Sequence, residues 1–331
     1  MNHIASVSIR SSTAALDVPA AALRWHNLRD VALREATRLS AILVLVLLGG
    51  VIVSLIYGAV PVLRAERLSF FTTEAWNPVT EKFGALGPIY GTLVTSFIAM
   101  LIGIPVSIGV AIFITELCPR PLKRPIGTAI ELLAGIPSII YGIWGLFVLA
   151  PFLQKEVQPL IISVFSGVPV FSRLFAGPPY GIGVLTAGII LSIMVVPYIS
   201  SVTRDVFETV PAVLKESAYG LGCTTWEVVR NVVMPYTRTG VIGGIMLGLG
   251  RALGETMAVT FVIGNAHRIA PSLLAPGTTI SAAIANEFTE ATGALYTSAL
   301  IALGLILFLI TFLVLAAARY LLLQLERRAG R

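Results

Sequence analysis

The chain has 331 residues, of which 56% are hydrophobic and only 12% charged, and its mean hydropathy is +0.90. A soluble domain carries about twice that charged fraction, so the composition excludes a water-soluble fold and points to a membrane protein. The formal net charge of +6 does not by itself imply nucleic acid, because basic residues also gather on the cytoplasmic side of membrane proteins.

Residues 1–38 begin polar and then set Leu23, Trp25, Leu28, Val31 and Ala32 among Arg24, Arg29, Arg34 and Arg38. The pattern reads as a basic amphipathic segment on an anionic membrane face, with an ordinary solvated lead-in as the alternative. The apolar run from Leu39 to Leu63 is too long and starts too late for the hydrophobic part of a signal peptide, which predicts an uncleaved first span. Further apolar runs predict an all-α membrane protein of six spans, at about 39–63, 89–115, 126–153, 181–202, 240–264 and 291–318, within a transmembrane domain 39–320 followed by a basic tail 321–331.

The third run carries Glu131 and then Gly135-Ile136-Pro137-Ser138, which should bend or interrupt the helix inside the membrane. Broken helices often line binding cavities, so Gly135, Pro137 and Ser138 are either path-lining residues or a packing kink. Pro159 to Val170 is too short to span and is expected to be an external interfacial or re-entrant element.

The fifth run, Thr239–Gly264, holds two charges near its middle. On one continuous helix, Arg251 and Glu255 would share a face with Gly240, Gly244, Gly248 and Ala258. Small residues at four-residue spacing admit a close neighbour, and a charge at mid-membrane costs ~2.5–3.5 kcal/mol, so that face must look onto protein or water. Arginine offers a planar fork of donors that cannot lose its charge, which suits Arg251 to hold an anion, and Glu255 could restrain that fork. A buried ion pair that only fixes packing is the competing reading.

Basic residues fall unevenly. Arg10, Arg24, Arg29, Arg34 and Arg38 precede the first span, Arg120, Lys123 and Arg124 lie in the 115–125 loop, Arg204, Lys215, Arg230 and Arg238 in the 203–238 loop, and Arg319, Arg327, Arg328 and Arg331 near the end. The alternate loops hold only Arg64, Arg67 and Lys82, then Lys155 and Arg173, then Arg268. This asymmetry predicts both termini in the cytoplasm. Cys118 and Cys223 then both face the reducing side, where no disulfide is expected, and the scattered His3, His26 and His267 read as solvated or interfacial residues with no metal site.

The cytoplasmic loop 204–238 is punctuated as a helical hairpin. Pro211 suits a first helical turn, Gly220 and Gly222 its end, and Thr224-Thr225-Trp226-Glu227 forms a capping-box pattern for a second helix expected to stop before Pro235. Glu216, Ala218, Gly222 and Pro235 resemble the EAA loop of ABC importer permeases, which runs Glu-Ala-Ala, three residues, Gly, nine residues, Ile-x-Leu-Pro; Ser217 stands at its second position, and Val232 and Met234 replace its Ile and Leu. That resemblance implies that Lys215, Glu216, Ser217, Ala218, Gly222, Thr224, Trp226 and Pro235 form the coupling to an ATPase subunit. The bland reading is a surface hairpin joining two spans.

Three further stretches, YGTLVTS at 90–96, LLAGIPSIIYGIWGLFVLAP at 132–151 and GRALGETMAV at 250–259, look like the C-type permeases of bacterial phosphate-specific (Pst) ABC importers, over about Leu39 to the last helix. The resemblance implies a type I ABC importer permease in the bacterial cytoplasmic (inner) membrane, with Arg251 and Glu255 on the substrate path, where the arginine fork matches a phosphate edge and Glu255 could accept a proton from a protonated phosphate oxygen. Its partners would be a paralogous A-type permease, two ATPase subunits, an external phosphate-binding protein, inorganic phosphate and membrane lipid, with no nucleic acid. No Gly-x-x-x-x-Gly-Lys-Ser/Thr loop occurs in the sequence, so the chain is expected to be no enzyme and to hold no cofactor, with ATP and Mg on the partner subunits. Rival readings are a permease for sulfate or molybdate, a secondary carrier, and a phosphate-signalling membrane scaffold.

Overall fold

A computed structural model of the protein describes residues 20–329. The expectations for residues 1–19 and 330–331, and those for the side chains of 20–28, 170, 321 and 325–329, lie outside the described residues.

The chain divides into two units, Met1–Ser54 and Leu55–Arg331. Helix α1 (Ala20–Glu66) supplies the described part of the first, where the apolar side chains of Leu39, Leu43, Leu45 and Val53 are exposed, as suits a lipid rather than an aqueous surround.

In the second unit, α2 (Leu86–Ile112) pairs with α5 (Val184–Glu208) along small residues: a Cβ on Gly103 would lie 2.8 Å from Val195, and one on Gly188 2.6 Å from Ile98. Between them in sequence come α3 (Arg120–Ala134) and α4 (Ser138–Trp144). The chain then forms a cytoplasmic hairpin of α6 (Ala212–Gly220) and α7 (Thr225–Val228), followed by α8 (Met234–Leu253), α9 (Met257–Val262), α10 (Ile280–Glu287) and α11 (Ala294–Ala329). Ala99, Ile190, Leu191, Val195, Ile199, Val259 and Val262 form the main apolar core. A second core gathers Ala59, Val62, Phe70, Phe83, Ile280, Leu300 and Leu303, and a third, Ala111, Phe207, Ala218, Val228 and Val233, underlies the hairpin.

Six helices are long and apolar enough to cross a membrane: Arg29–Glu66, Leu86–Leu117, Ser138–Phe165, Val184–Glu208, Thr225–Leu253 and Ala294–Gln324. Two of them differ from expectation. The third does not run over 126–153: Gly135-Ile136-Pro137 separates an amphipathic α3 from a span that starts at Ser138. That span continues to Phe165, so Pro159–Phe165 extends a membrane helix, and only Pro169–Leu174 forms a separate short helix. The fifth starts at Thr225 and ends at Leu253, since the helix does not stop before Pro235.

One device explains these continuations. Each π-helical turn, Phe113–Leu117, Gly145–Leu149, Leu153–Val157 and Val229–Val233, is followed at its second residue by a proline: Pro119, Pro151, Pro159 and Pro235. Proline removes one backbone donor and collides with the carbonyl four residues back; a wider π turn just before it accommodates both, so the helix passes Pro151, Pro159 and Pro235. At Pro119 the chain leaves the helix instead, with Cys118 extended, and Pro119 opens α3.

Candidate functional site

The stretch Thr239–Gly264 is not one helix. α8 stops at Leu253, Gly254 turns the chain, and α9 begins at Met257. Glu255 lies in the gap with only 3% of its side chain exposed; its Oε1 accepts from the Ala258 amide at 3.4 Å, and its Oε2 is 3.4 Å from Arg251 Nη2. The carboxylate thereby takes one of the amides left free in the first turn of α9.

The expected single stripe of small residues and charges is therefore divided. Gly244 and Gly248 face α5, where a Cβ on Gly248 would lie 2.5 Å from Ile199. Arg251 turns instead to the neighbouring side of α8, where 39% of its side chain is exposed. There it lines an open cavity of about 530 Å3 together with Tyr198, Gly243, Met246, Leu247, Gly250, Leu315 and Arg319.

Tyr198 joins the two helix breaks. The Arg251 guanidinium lies over its ring at 5.4 Å, and its hydroxyl donates to the Ala134 carbonyl at 3.0 Å, at the end of α3. The Tyr141 hydroxyl donates to Leu133 O, also at 3.0 Å and beside the Ile136 amide, so two tyrosines supply donors to carbonyls at the end of α3 where Gly135-Ile136-Pro137 interrupts the helix. Pro137 caps α4 and Ser138 opens it. Gly142, one turn farther on, lets α4 approach the backbone of α9: a Cβ there would lie 3.0 Å from Ala258 Cα and 3.2 Å from Met257 O. The sequence points to the break at 135–138 but not to the one at 254–256, and not to Tyr198; a lone tyrosine after Pro197 in an otherwise apolar span was the available signal.

In the hairpin, Gly222 adopts φ +88°, the left-handed region that favours glycine, and its amide donates to Tyr219 O. Thr224 and Glu227 form the reciprocal capping box. Ala218 is buried against the third core, whereas Glu216, Ser217 and Pro235 are exposed. Val213, Leu221 and Trp226 present an apolar surface, with Leu221 87% exposed. Lys215 turns the other way, its Nζ 2.6 Å from Oε1 of the nearly buried Glu116, which ties α6 to the π turn at the end of α2. No local pattern could have signalled a pair so distant in sequence.

On the external side, His267 is not solvated. Its Nε2 is 2.6 Å from Glu287 Oε1, while the Trp76 indole and Tyr296 hydroxyl donate to Glu287 Oε2 at 2.6 and 2.7 Å. Trp76 stacks on His267 at 4.8 Å. Burial pushes the Glu287 carboxyl up, but the His267 and Tyr296 hydrogen bonds, the His267 charge and the Trp76 indole outweigh it, so the group lies below its ordinary value. The cluster fastens the hairpin of β1 (Trp76–Asn77) and β2 (Lys82–Phe83) to α10 and α11. Among the described residues, no group of three or more His, Cys, Asp and Glu could hold a metal ion.

Residues 85–325 match the family model described as the binding-protein-dependent transport system inner membrane component. The chain is 70% identical to the phosphate transport system permease protein PstC of Mesorhizobium japonicum, over 94% of this chain and 95% of that one. It is 58% identical to the protein of the same name from Pasteurella multocida, over 92% and 95%. It is also similar in fold to a chain of the bacterial alginate ABC transporter solved with an alginate pentasaccharide-bound periplasmic protein, with a TM-score of 0.57 and 19% identity over 89% of this chain and 96% of that one.

Proposed function

Because this chain belongs to the family of binding-protein-dependent transport system inner membrane components, and within it to the phosphate transport permeases, we propose how its own residues carry out import. It is the transmembrane permease subunit of an ATP-driven inorganic phosphate importer and a multi-pass protein of the cytoplasmic membrane. Relatives at 58–70% identity that carry the phosphate name disfavour a sulfate or molybdate permease, and the family disfavours a secondary carrier or a signalling scaffold.

The observation that carries the reading of the site is Arg251 in its open cavity beside a carboxylate that cannot leave. Glu255 is fixed by the Ala258 amide, and its 3.4 Å approach leaves most donors of the guanidinium free. The arginine fork can take two phosphate oxygens while Tyr198 supports its face. Glu255 balances the arginine charge in the empty site, and its free lone pairs can accept a proton from a protonated phosphate oxygen. The breaks at 135–138 and 254–256 let the path wall bend without unwinding whole spans.

Coupling starts at the exposed face of α6 and α7, where Val213, Glu216, Leu221 and Trp226 dock on an ATPase subunit. The Lys215–Glu116 pair passes a displacement of α6 to α2, which packs along α5 and hence moves Tyr198 under Arg251. ATP and Mg belong to two ATPase subunits, since this sequence has no phosphate-binding loop; a paralogous permease supplies the other half of the path, and an external binding protein delivers phosphate. The test is phosphate uptake by vesicles holding the reconstituted importer. Uptake that requires ATP and the binding protein, and that excess sulfate and molybdate leave unchanged, supports the reading; uptake without ATP overturns it.

A further inference from the structure

The wall of the Arg251 cavity contains a second cation. Arg319, on α11, is exposed and makes no salt bridge to any of the described residues. It stands one turn beyond Leu315, whose side chain reaches the level of Gly250: a Cβ built there would lie 3.9 Å from Leu315 Cδ1. Four residues at ~1.5 Å rise place Arg319 about 6 Å from that level along the helix, and because α11 runs inward the displacement is toward the cytoplasm. Gly243, Met246, Leu247, Gly250 and Leu315 are apolar, and Tyr198, the remaining lining residue, is uncharged and commits its hydroxyl to the Ala134 carbonyl.

An anion leaving Arg251 thus meets apolar wall except at Arg319. Two guanidinium groups that share one cavity, with Glu255 as the single carboxylate beside them, leave an excess of positive charge that an anion with two negative charges neutralises. We propose that Arg319 is a second phosphate contact, which receives the anion from Arg251 one helical turn farther toward the cytoplasm; this rests on the reading of Arg251 given above. A lipid phosphate presents the same oxyanion, and the proposal commits to phosphate in transit.

The test uses vesicles holding the whole importer, with binding protein, ATP and labelled phosphate, and measures phosphate moved per ATP hydrolysed. Arg319→Gln should lower that ratio about tenfold, the worth of a lost charge-assisted hydrogen bond, while ATP hydrolysis stays within about twofold; Arg319→Lys should recover most of it. The effect should be the same in vesicles with and without anionic lipid. A loss seen only with anionic lipid would identify a headgroup contact and overturn the proposal. An equal fall in uptake and hydrolysis in both variants would overturn it as well, because a packing role moves the two together. Normal uptake in Arg319→Gln beside an inactive Arg251→Gln removes Arg319 from the path and leaves the Arg251 reading intact; full uptake in Arg251→Gln removes both.

Discussion

The guanidinium of Arg251 lies over the ring of Tyr198, 5.4 Å from its centroid, while the hydroxyl of the same tyrosine holds the Ala134 carbonyl where the third helical run is interrupted. One side chain therefore supports the charge and pins the break. Replacing Tyr198 by Phe should keep the ring and lose the hydroxyl, and Tyr198→Leu should lose both. With a cation–ring contact worth ~0.5–2 kcal/mol, Tyr198→Leu should lower phosphate uptake several-fold more than Tyr198→Phe, at equal co-purification with the ATPase subunits. Equal uptake in the two variants would dismiss the ring contact.

A second expectation separates transport from packing at Arg251 and Glu255. Arg251→Gln should assemble and fail to take up phosphate, Arg251→Lys should rescue poorly because a point charge lacks the fork, and Arg251→Gln with Glu255→Gln should stay inactive. A purely structural pair behaves otherwise. Removing one partner would then cost ~3–5 kcal/mol and the neutral double variant would recover both assembly and uptake.

The hairpin offers a test of coupling. A β-branched side chain at Gly222, where φ is +88°, is strained by more than ~1 kcal/mol, so Gly222→Val should uncouple ATP hydrolysis from uptake while the spans stay inserted. Lys215→Met should leave the buried Glu116 without its cation and lower assembly, and Lys215→Met with Glu116→Leu should recover assembly without restoring full coupling. Both are read by co-purification and by substrate-stimulated ATPase activity.

Acid should loosen the external cluster. The Glu287 carboxyl lies below its ordinary value of 4.5 in the folded chain, so its contribution is complete above that value and is lost as pH falls through the lower folded value. Thermal unfolding of the purified complex should therefore show stability dropping on the acid side, and Glu287→Gln should flatten the drop while lowering stability at neutral pH, because His267, Trp76 and Tyr296 lose their shared acceptor.

Orientation can be checked with single cysteines in a cysteine-free background. Val79, 91% exposed, and the exposed Arg268, each replaced by Cys, should react with an impermeant thiol reagent added outside intact cells, whereas Cys223 restored alone should not. The stretch 270–276 is a poor choice, because Ser272 and Leu274 are buried. Labelling of Cys223 from outside would invert the topology.

Much of this was legible in the residues themselves. Runs of apolar side chains, the lopsided basic residues, the capping box at Thr224 and the Gly222 turn depend on interactions within a few positions, or on a partition between lipid and water that each segment undergoes by itself. The motif at Glu216–Pro235 and the stretch around Arg251 belong to the same local category. Helix continuity past Pro159 and Pro235 was misjudged because a proline's missing donor was set against a regular α-helix, and a π turn two residues earlier removes the conflict. Only the tertiary structure decided that Arg251 and Glu255 lie on either side of a break, that Tyr198 links that break to the one at 135–138, and that Lys215 meets Glu116. Each of these joins residues far apart in the chain or depends on a helix end whose free amides and carbonyls are satisfied from elsewhere, and neither periodicity nor spacing can report on a partner that packing alone brings near.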